Sequence, residues 1–529
     1  MLLSKHVATS PPQRLLRESL LTSATLFPDK EAIVIGDDSY TYSELLNASL
    51  RIAHSLVETG VQRGNHVAIY MDNTWPCVVS IYGALFAGAA FLTINSQTKA
   101  DKLEYILRDS EAKVLMTDGL LHRYLSPVLG NIENIVAVIS SGKDTPLEIS
   151  NPLPLLSFED IILTSGELSN PVEVIPNDLA ALIYTSGSTG FPKGVMQTNQ
   201  SMVFATGSLI EYLRLSANDR ILLVLPVAFD YGLYQLLMAV SLGTTLVIER
   251  SFAFPAAIYN IILNKGVTVF PAVPTILAMM ISSHKKNALN FPSITRLTNT
   301  AAALTPSFIP HLHDIFPNAL IYKMYGLTEC KRVCYLEPEL VDSHPDSVGR
   351  AIPGTETYLL SPEGEPVPVG EPGILYVRGP HIMAGYWKQA ELSEKMLKPG
   401  PIPGERVLCT QDYFRTDEDD LLYFVGRTDD IIKTRGEKVS PIELENVLQS
   451  IPGVNEASVI GVSDKTLGQA IQAFIVLDFA SELTEKEIRK FCLSHLENFM
   501  NPKDIIFLEE LPKTSNGKID KISLKILAR

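Results

Sequence analysis

The stretch YTSGSTGFPKG, residues 184–194, directly follows the apolar run LAALI. It combines three glycines, four serines and threonines, one proline and one lysine. Glycine adopts positive φ without steric cost, so main-chain N–H groups in such a loop can converge on an anion. The hydroxyl groups add hydrogen-bond donors, and Lys193 adds a positive charge. The stretch therefore predicts a strand followed by a phosphate-binding loop, with an ordinary flexible turn as the alternative.

The loop differs from that of the P-loop nucleotide hydrolases. Their pattern is G-x-x-x-x-G-K-[ST], and here the lysine, Lys193, is followed by Gly194. The spacing therefore disfavours that class of enzyme.

Composition restricts the function further. The 529 residues carry a net charge of −15 and a pI of about 5.2, and 46% of them are hydrophobic. The length predicts roughly three or four domain-sized units. Nucleic-acid binding requires clustered basic surface, so this charge balance argues against a nucleic-acid partner.

The chain shows no clear membrane or export signal. Lys5, Arg14 and Arg17 interrupt the leucines near the start before an apolar core can form. The best membrane candidate, IYGALFAGAAFLTI from Ile81, is too short to span a bilayer and predicts a buried helix followed by a buried strand. We expect a cytoplasmic protein without membrane association, with five reduced cysteines and no structural metal.

The order of elements predicts the architecture. Helical and strand patterns alternate over the first four hundred residues, as in layered α/β proteins. Thr41 and Glu44 form a capping box before a helix that Gly60 ends. A second α/β run follows the glycine-rich loop, which predicts two α/β lobes side by side. Frequent Gly and Pro after about residue 347 predict a small β-rich unit, and the last hundred residues predict a compact α+β domain.

Four segments together are more specific than any one of them. They are YTSGSTGFPKG (184–194), MYGLTE (324–329), GRTDDIIKTRGEKVSPIELE (426–445) and PKTSNGKIDK (512–521). In this order they resemble the adenylate-forming superfamily of acyl-CoA synthetases, nonribosomal peptide adenylation domains and luciferases, essentially from end to end. The resemblance implies a large N-terminal domain, residues 1–428, of two α/β lobes plus a small β-rich subdomain. A small mobile α+β C-terminal domain, residues 429–529, follows it.

The resemblance also implies the chemistry. A carboxylate oxygen attacks the α-phosphate of ATP, pyrophosphate leaves and an acyl-AMP forms, while donors and cations stabilise the charge on the phosphate oxygens. Lys518 would bridge the carboxylate and the nucleotide, Thr328 would contact the α-phosphate, and Glu329 would bind Mg²⁺. The other residues implied to bind ATP are Thr185, Ser186, Gly187, Ser188, Thr189, Gly190, Lys193, Ala301, Ala302, Tyr325, Gly326, Asp412 and Arg427.

Some of these assignments carry open alternatives. YGLTE is also compatible with a helix-start turn in which Glu329 is a first-turn carboxylate, and a lysine such as Lys518 on a terminal turn is often solvated surface. Tyr325 would lie against adenine. Asp412 would bind ribose, but Gln411 replaces the glycine usual before it, which leaves the local backbone geometry open.

Two further residues are implied by the family's two conformations. Asp429 matches the hinge about which the C-terminal domain rotates, and a hinge is a few positions that absorb a large φ/ψ change. Gly436 would line the tunnel for a pantetheine arm.

The segment LPVAFDYGLYQ bears on the acid that is activated. Many fatty and aryl acyl-CoA synthetases have a histidine near this point, whereas amino-acid-adenylating domains have Phe-Asp, as in Phe229-Asp230. An aspartate beside an apolar pocket needs a partner, which a substrate amine would supply; the alternative is a helix cap. The other residues expected around the acid form a mostly apolar lining: Tyr231, Tyr234, Pro271, Thr298, Thr300, Met324 and Val333.

The resemblance is greatest to free-standing prolyl-adenylating enzymes that load a separate carrier protein. It implies activation of an amino acid, L-proline in the first place, and transfer to the phosphopantetheine thiol of a holo acyl or peptidyl carrier protein, or to CoA. The alternative is an AMP-forming acyl- or aryl-CoA ligase for an acid without an amine. A luciferase stays open, and a non-catalytic regulator is opposed by the presence of Lys193, Glu329, Asp412 and Lys518.

Overall fold

A computed structural model describes the helices and strands of residues 13–142, 147, 153–185, 192–427, 430–434, 437–464, 467–479, 481–496, 500–514 and 518–528. The helices are α1 (Leu16–Leu26), α2 (Tyr42–Glu58), α3 (Trp75–Phe86), α4 (Ala100–Asp109), α5 (His122–Leu129), α6 (Phe158–Thr164), α7 (Asn199–Tyr212), α8 (Asp230–Leu242), α9 (Pro255–Asn264), α10 (Pro274–Lys286), α11 (Ile309–Ile315), α12 (Ala390–Met396), α13 (Pro441–Gln449), α14 (Glu485–His495) and α15 (Lys521–Leu527).

The strands are β1 (Glu31–Ile35), β2 (Asp38–Thr41), β3 (His66–Met71), β4 (Ala90–Asn95), β5 (Ala112–Asp118), β6 (Ala137–Ser141), β7 (Leu155–Ser157), β8 (Leu179–Thr185), β9 (Lys193–Thr198), β10 (Arg220–Leu223), β11 (Thr245–Ile248), β12 (Val269–Ala272), β13 (Arg296–Asn299), β14 (Leu320–Tyr325), β15 (Cys334–Leu336), β16 (Arg350–Ala351), β17 (Glu356–Leu360), β18 (Gly373–Arg378), β19 (Gly385–Tyr386), β20 (Leu397–Pro399), β21 (Arg406–Thr416), β22 (Leu422–Arg427), β23 (Ile432–Thr434), β24 (Glu437–Val439), β25 (Val454–Asp464), β26 (Gly468–Leu477) and β27 (Asp504–Phe507).

Two large sheets form the α/β part of the molecule. The first has nine strands in the order β16-β15-β14-β13-β12-β10-β11-β1-β2, and its central strands run parallel. The second has eight strands in the order β19-β9-β8-β4-β3-β5-β6-β7, parallel from β8 to β7. Because parallel strands point the same way, the loops that follow β10, β12, β13 and β14 meet at one edge of the first sheet.

Strands from one part of the chain pair within the sheet of the other lobe, which the order of elements along the chain did not predict. The first hairpin, β1 and β2, joins the second lobe, where β1 pairs with β11. The glycine-rich loop lies between β8 and β9, which complete the sheet of the first lobe. The partner of a buried apolar strand is set by its tertiary context, which its own residue pattern does not specify.

Two smaller sheets complete the fold. Strands β17, β18, β21 and β20 form one, with β22 beside β21, and this is the predicted β-rich unit. Strands β24, β23, β26 and β25 form the other, with β27 beside β26, and α13 and α14 pack with it in the C-terminal domain. The predicted class, a large α/β domain with a β-rich subdomain and a small α+β domain, is confirmed. The boundary at residue 428 stays a prediction.

The local sequence signals for helix ends and buried elements are confirmed where side chains fix the backbone conformation. Thr41 and Glu44 form the predicted capping box at the start of α2, and Gly60 follows the helix at φ +90°. Helix α3 and strand β4 are buried along the predicted apolar stretch. All five cysteines are free and buried. Among the described residues, every helix falls short of the length or the apolar character that a membrane span requires.

Candidate active site

The glycine-rich loop connects two antiparallel strands of the second sheet. Thr185 at the end of β8 pairs with Lys193 at the start of β9. The Thr185 Oγ1 atom is buried and has no hydrogen-bond partner among the described residues. Five predicted phosphate-binding residues lie outside the described residues: Ser186, Gly187, Ser188, Thr189 and Gly190. The two residues that flank the loop, Thr185 and Lys193, nevertheless place a hydroxyl without a described partner next to a cation.

Lys193 and Glu329 are held together by Tyr386. The Lys193 ammonium lies 3.2 Å from Glu329 Oε1 and donates to Tyr386 Oη at 2.8 Å. Tyr386 Oη donates to Glu329 Oε1 at 2.5 Å, and the Lys193 ammonium also lies 4.2 Å from the centre of the Tyr386 ring. Burial and the Glu329 charge raise the pKa of Tyr386, so the phenol keeps its proton for this bond.

The turn after β14 presents Thr328 and Glu329. It is not the start of a helix, and Glu329 is 7% exposed. A Cβ on Gly326 would lie 2.2 Å from Lys331 O, so the tight closure of the turn requires glycine there. The backbone is tied on both sides: Gln197 Nε2 donates to Thr328 O at 2.7 Å, and Met383 N donates to Glu329 O at 2.7 Å.

Glu329 fits the Mg²⁺ role that the resemblance implies. Magnesium takes oxygen ligands, commonly one or two carboxylates together with substrate phosphates and water. The described contacts of the Glu329 carboxylate, from Tyr386 and Lys193, both use Oε1. Its Oε2 is thus left for a cation beside the glycine-rich loop.

Asp412, Tyr325 and Arg427 form a second group. Asp412 is buried on β21; it accepts a hydrogen bond from the Tyr325 hydroxyl and lies 3.7 Å from Arg427 Nε. Burial raises the pKa of Asp412, against the Arg427 charge and the Tyr325 hydrogen bond, which lower it. Gln411 has φ +61°, so the backbone takes the left-handed conformation that glycine usually supplies before this aspartate.

The ring of Tyr325 packs against two aromatic side chains of the protein. It packs edge-on against Phe414 and stacks on Phe424, with ring centres 4.8 and 5.9 Å away. Ala301 and Ala302 follow β13 and are exposed, and Ala301 has φ +76° although it is not a glycine. Such strained positions concentrate at functional sites.

The C-terminal domain brings Lys518 to this group. The Lys518 pKa is lowered by burial and by the Arg427 charge, while Asp412 and Glu329 raise it. The surface of the residue remains open to solvent, but enough protein surrounds the ammonium to desolvate it. Lys518 is thus within electrostatic reach of both predicted ATP-binding groups. Asp429 and Gly436, the predicted hinge and tunnel residues, lie outside the described residues.

Asp230 is the first residue of α8 and not its N-cap. Phe229 occupies the cap position, and no side chain caps this helix. Asp230 Oδ1 is buried without a hydrogen-bond partner among the described residues. Burial raises the pKa of Asp230 to about 6, although the Thr328 side-chain hydrogen bond and the charges of Lys331 and Arg332 lower it. The helix-cap alternative is wrong, and the carboxylate oxygen is available for another group.

Most residues predicted to surround the acid lie near Asp230 or on the neighbouring strand ends. Tyr231 Oη donates to Thr298 O at 2.6 Å, and Thr298 is paired with Pro271. Tyr234, one turn after Asp230, is fully buried, and its hydroxyl has no partner in the described part of the chain. Thr300 and Met324, after β13 and in β14, are buried as well.

Val333 is not brought together with these residues. Its side chain belongs to a separate apolar cluster with Val195 and Cys334. Its neighbour Arg332 instead faces Tyr231, with the guanidinium 5.0 Å from the ring centre. Arg332 is 4% exposed, and its Nε is buried without a partner among the described residues. Arg332 therefore adds a buried cation beside Tyr231 that the sequence did not predict.

Sequence reasoning missed four residues of the site: Gln197, Lys331, Arg332 and Tyr386. Lys331 and Arg332 follow the predicted YGLTE motif after one intervening residue, Cys330, and two adjacent basic residues so close to the motif were the available signal. Tyr386 is 57 residues from Glu329. No local pattern in the sequence predicts a contact between residues so far apart along the chain.

Two family models match most of the chain. The model for AMP-binding enzymes matches residues 20–387, and the model for their C-terminal domain matches residues 443–518. The chain belongs to the AMP-binding enzyme family. The family is that of the adenylate-forming acid–thiol ligases, and the match confirms the superfamily that the four motifs predicted.

Relatives of this AMP-binding enzyme fall in two groups. It is 29% identical to tyrocidine synthase 3 of Brevibacillus parabrevis over 98% of its own chain, but it spans only 8% of that protein. It is 29% identical to the long-chain-fatty-acid–CoA ligase of Bacillus subtilis (strain 168), covering 96% of its own chain and 93% of the ligase.

Solved structures agree with the fold of this AMP-binding enzyme over its full length. The anthranilate CoA ligase AuaEII in complex with anthranoyl-AMP superposes with a TM-score of 0.89 at 26% identity, covering 98% of both chains. ATP-bound MatB from Rhodopseudomonas palustris superposes with a TM-score of 0.85 at 25% identity, covering 96% of this chain and 98% of MatB.

Proposed function

We propose that this enzyme activates an amino acid, L-proline in the first place, as an aminoacyl-AMP and passes it to the thiol of a phosphopantetheine arm on a separate carrier protein. The observation that carries this proposal is the buried Asp230 Oδ1, which has no partner among the described residues. A buried carboxylate oxygen without a partner is costly. A substrate ammonium supplies both the missing charge and the missing donor.

The nearby cations do not remove the need for a partner. Lys331 Nζ donates to Ser201 Oγ and His381 O, and Arg332 Nη1 donates to Lys331 O. Burial still outweighs both charges in raising the pKa of Asp230. We therefore propose that the Asp230 oxygen binds the substrate amine and that the Tyr231 ring packs against the apolar part of the amino acid.

The residues around the nucleotide suit the first step. The substrate carboxylate oxygen forms a bond to the α-phosphorus of ATP, and the bond to the β-phosphate oxygen breaks as pyrophosphate leaves with the electron pair. Mg²⁺ at Glu329 would offset the triphosphate charge. Lys518, whose pKa is influenced by the charges of Arg427, Asp412 and Glu329, would neutralise negative charge where carboxylate and nucleotide meet. Thr328, whose side chain hydrogen-bonds Asp230, links the two halves of the site.

The second step transfers the acyl group. The sulfur of the acceptor attacks the acyl carbon, AMP leaves and the thiol proton is released. We propose that the C-terminal domain rotates between the steps and that Asp429 and Gly436 serve as hinge and tunnel residues, in line with the family resemblance.

Pyrophosphate exchange into ATP tests the acid. The purified enzyme with Mg²⁺ and no thiol is offered proline, other amino acids, aryl acids and fatty acids. Exchange should be fastest with proline, and Asp230→Asn should nearly abolish it while ATP binding is retained. Exchange only with acids that lack an amine, unchanged in Asp230→Asn, would sink the proposal.

An acyl- or aryl-CoA ligase is the second candidate. It is favoured by the near-complete coverage of the bacterial fatty-acid–CoA ligase and by the Arg332 Nε, which has no partner in the described part of the chain and suits an acceptor on the acid. Coenzyme A and free pantetheine separate the acceptors. A ligase that recognises the nucleotide of CoA should prefer CoA to pantetheine by a large factor, whereas an enzyme that serves a carrier should use both alike.

A further inference from the structure

Lys331 is a buried cation that the chemistry described so far does not use. It is 1% exposed and has φ +65°, a conformation that lysine rarely adopts. Its described hydrogen bonds go to a hydroxyl and a carbonyl, and burying an ammonium without a carboxylate in direct contact is unfavourable. A methionine would fill the same space without that disadvantage, so the amino group has a role in the turn.

The hydrogen bonds of Lys331 lead back to Thr328. Lys331 Nζ donates to Ser201 Oγ at 2.9 Å, and Ser201 Oγ lies 3.2 Å from Gln197 Oε1. Gln197 Nε2 then donates to Thr328 O at 2.7 Å. The chain of bonds starts and ends on the same turn and passes through α7 and β9, the strand that begins with Lys193.

A second bond ties Lys331 to the opposite side of the turn. Lys331 Nζ donates to His381 O at 2.7 Å. Two residues further on, Met383 N donates to Glu329 O, and this segment leads to Tyr386, which contacts Glu329 and Lys193. The ammonium thus joins the three segments that carry Thr328, Lys193 and Tyr386.

We propose that Lys331 is a positioning residue for adenylate formation. It fixes the backbone of Thr328 and Glu329 against β9 and the segment 381–386, and so sets the alignment of the groups that meet the triphosphate. A displacement of about 1 Å in such a site can cost about 100-fold in rate. The proposal rests on the chemistry of the family and on no particular acid.

Two substitutions of equal size separate positioning from folding. Lys323 is also a buried lysine, 4% exposed, on β14, and its Nζ donates to Pro345 O. We compare Lys331→Met with Lys323→Met in pyrophosphate exchange, using whichever acid the wild type turns over fastest. Lys331→Met should lower kcat about 10- to 100-fold with little change in the KM for ATP, whereas Lys323→Met should keep the wild-type kcat. Wild-type kcat in Lys331→Met, or an equal loss in both variants, overturns the proposal.

A milder variant covers the case in which Lys331→Met does not fold. Ser201→Ala cuts the chain of bonds between Lys331 and Gln197 and leaves the lysine in place. It should lower kcat in the same direction, and combining it with Gln197→Met should add little, because both act on one path. Wild-type kcat in both variants overturns the proposal, as does a full additive loss in the double variant.

Discussion

Tyr386 connects the cation of the glycine-rich loop with the carboxylate of the neighbouring turn. Its hydroxyl contacts both Lys193 and Glu329, whose charged groups already lie 3.2 Å apart, so removing it takes one hydrogen bond from each of them. A hydrogen bond to a charged group contributes about 1.5–3 kcal/mol. Tyr386→Phe should therefore lower the exchange rate by about tenfold or more at saturating ATP.

The matched control for this prediction is Tyr358→Phe. Tyr358 stacks on Tyr376 in the β-rich sheet, away from Glu329. It should retain the wild-type rate. Equal rates for wild type and Tyr386→Phe would show that the hydroxyl has no part in the reaction.

Asp230 predicts a pH dependence of acid recognition. Its pKa of about 6 means that the carboxyl becomes neutral below that pH and no longer attracts an ammonium. Lys331, Arg332 and Glu329 face it, and the first two lower its pKa. With proline as substrate, kcat/KM should fall about tenfold per pH unit below about 6. The residual activity of Asp230→Asn should lack this limb, and a flat wild-type profile from about pH 5 to 8 contradicts the assignment.

The same shift has a consequence for stability with the opposite sign. The pKa of Asp230 is raised on folding, so the folded protein binds the proton more tightly than the unfolded chain. The protonated carboxyl therefore raises the free energy of unfolding at low pH. This contribution is lost as the pH rises toward about 6. Asp230→Asn should flatten this part of the curve in chemical denaturation.

At the residue scale, the motifs predicted which side chains share one region of the fold. Lys193 lies beside Glu329, and Asp412 lies beside Arg427, so residues from distant parts of the sequence are neighbours in the structure, while their roles stay predictions. Arg332 and Val333 show the limit of this approach. Which of two adjacent side chains points into a pocket depends on one backbone turn, and the sequence does not specify that turn.

At the scale of elements, the start of α8 depends on a close approach. A Cβ on Gly232 would lie 2.3 Å from Pro226 O, so alanine there must push the first turn away from the segment before it. Gly232→Ala should destabilise the protein and raise the KM for the acid, because Asp230 belongs to the displaced turn. Gly207 in α7 is the matched control, since its Cβ meets open space.

Urea denaturation and exchange kinetics check this pair. Gly207→Ala should raise the free energy of unfolding by about 0.5–1 kcal/mol, the usual difference between the two residues inside a helix. A Gly232→Ala variant as stable and as active as Gly207→Ala would show that the first turn of α8 tolerates movement.

Elements were predictable as far as their own side chains determine them. The capping boxes at Thr41 and Thr484 and the apolar runs of α3 and β4 mark their elements locally. The sheet that each strand joins was not predictable in this way. Strand β1 pairs with β11, more than two hundred residues away, and no local pattern in β1 specifies that partner.

For the whole molecule, the proposed role of Lys518 would make the C-terminal domain part of the first step. Its ammonium interacts with Asp412, Arg427 and Glu329, all on the large domain. Lys518→Ala should reduce adenylate formation by at least about 100-fold. Transfer from a supplied aminoacyl-AMP to pantetheine should be retained if, as proposed, that step uses another face of the domain.

Lys513 provides the control for Lys518. It lies on the same terminal segment and pairs with Glu456 at 2.6 Å within the C-terminal domain. Lys513→Ala should leave both steps at the wild-type rate. Equal loss of both steps in Lys518→Ala would contradict the separation of roles between the two orientations.

The most direct measurement compares two acids that differ at one position. L-Proline and cyclopentanecarboxylic acid have rings of the same size, but only proline carries an amine for Asp230. In pyrophosphate exchange with the wild-type enzyme and Mg²⁺, proline should exceed the carbocyclic acid by at least about 100-fold in kcat/KM, and Asp230→Asn should remove the difference by losing activity with proline. Equal rates for the two acids in the wild type would contradict the account, because the buried carboxylate would then have no part in choosing the substrate.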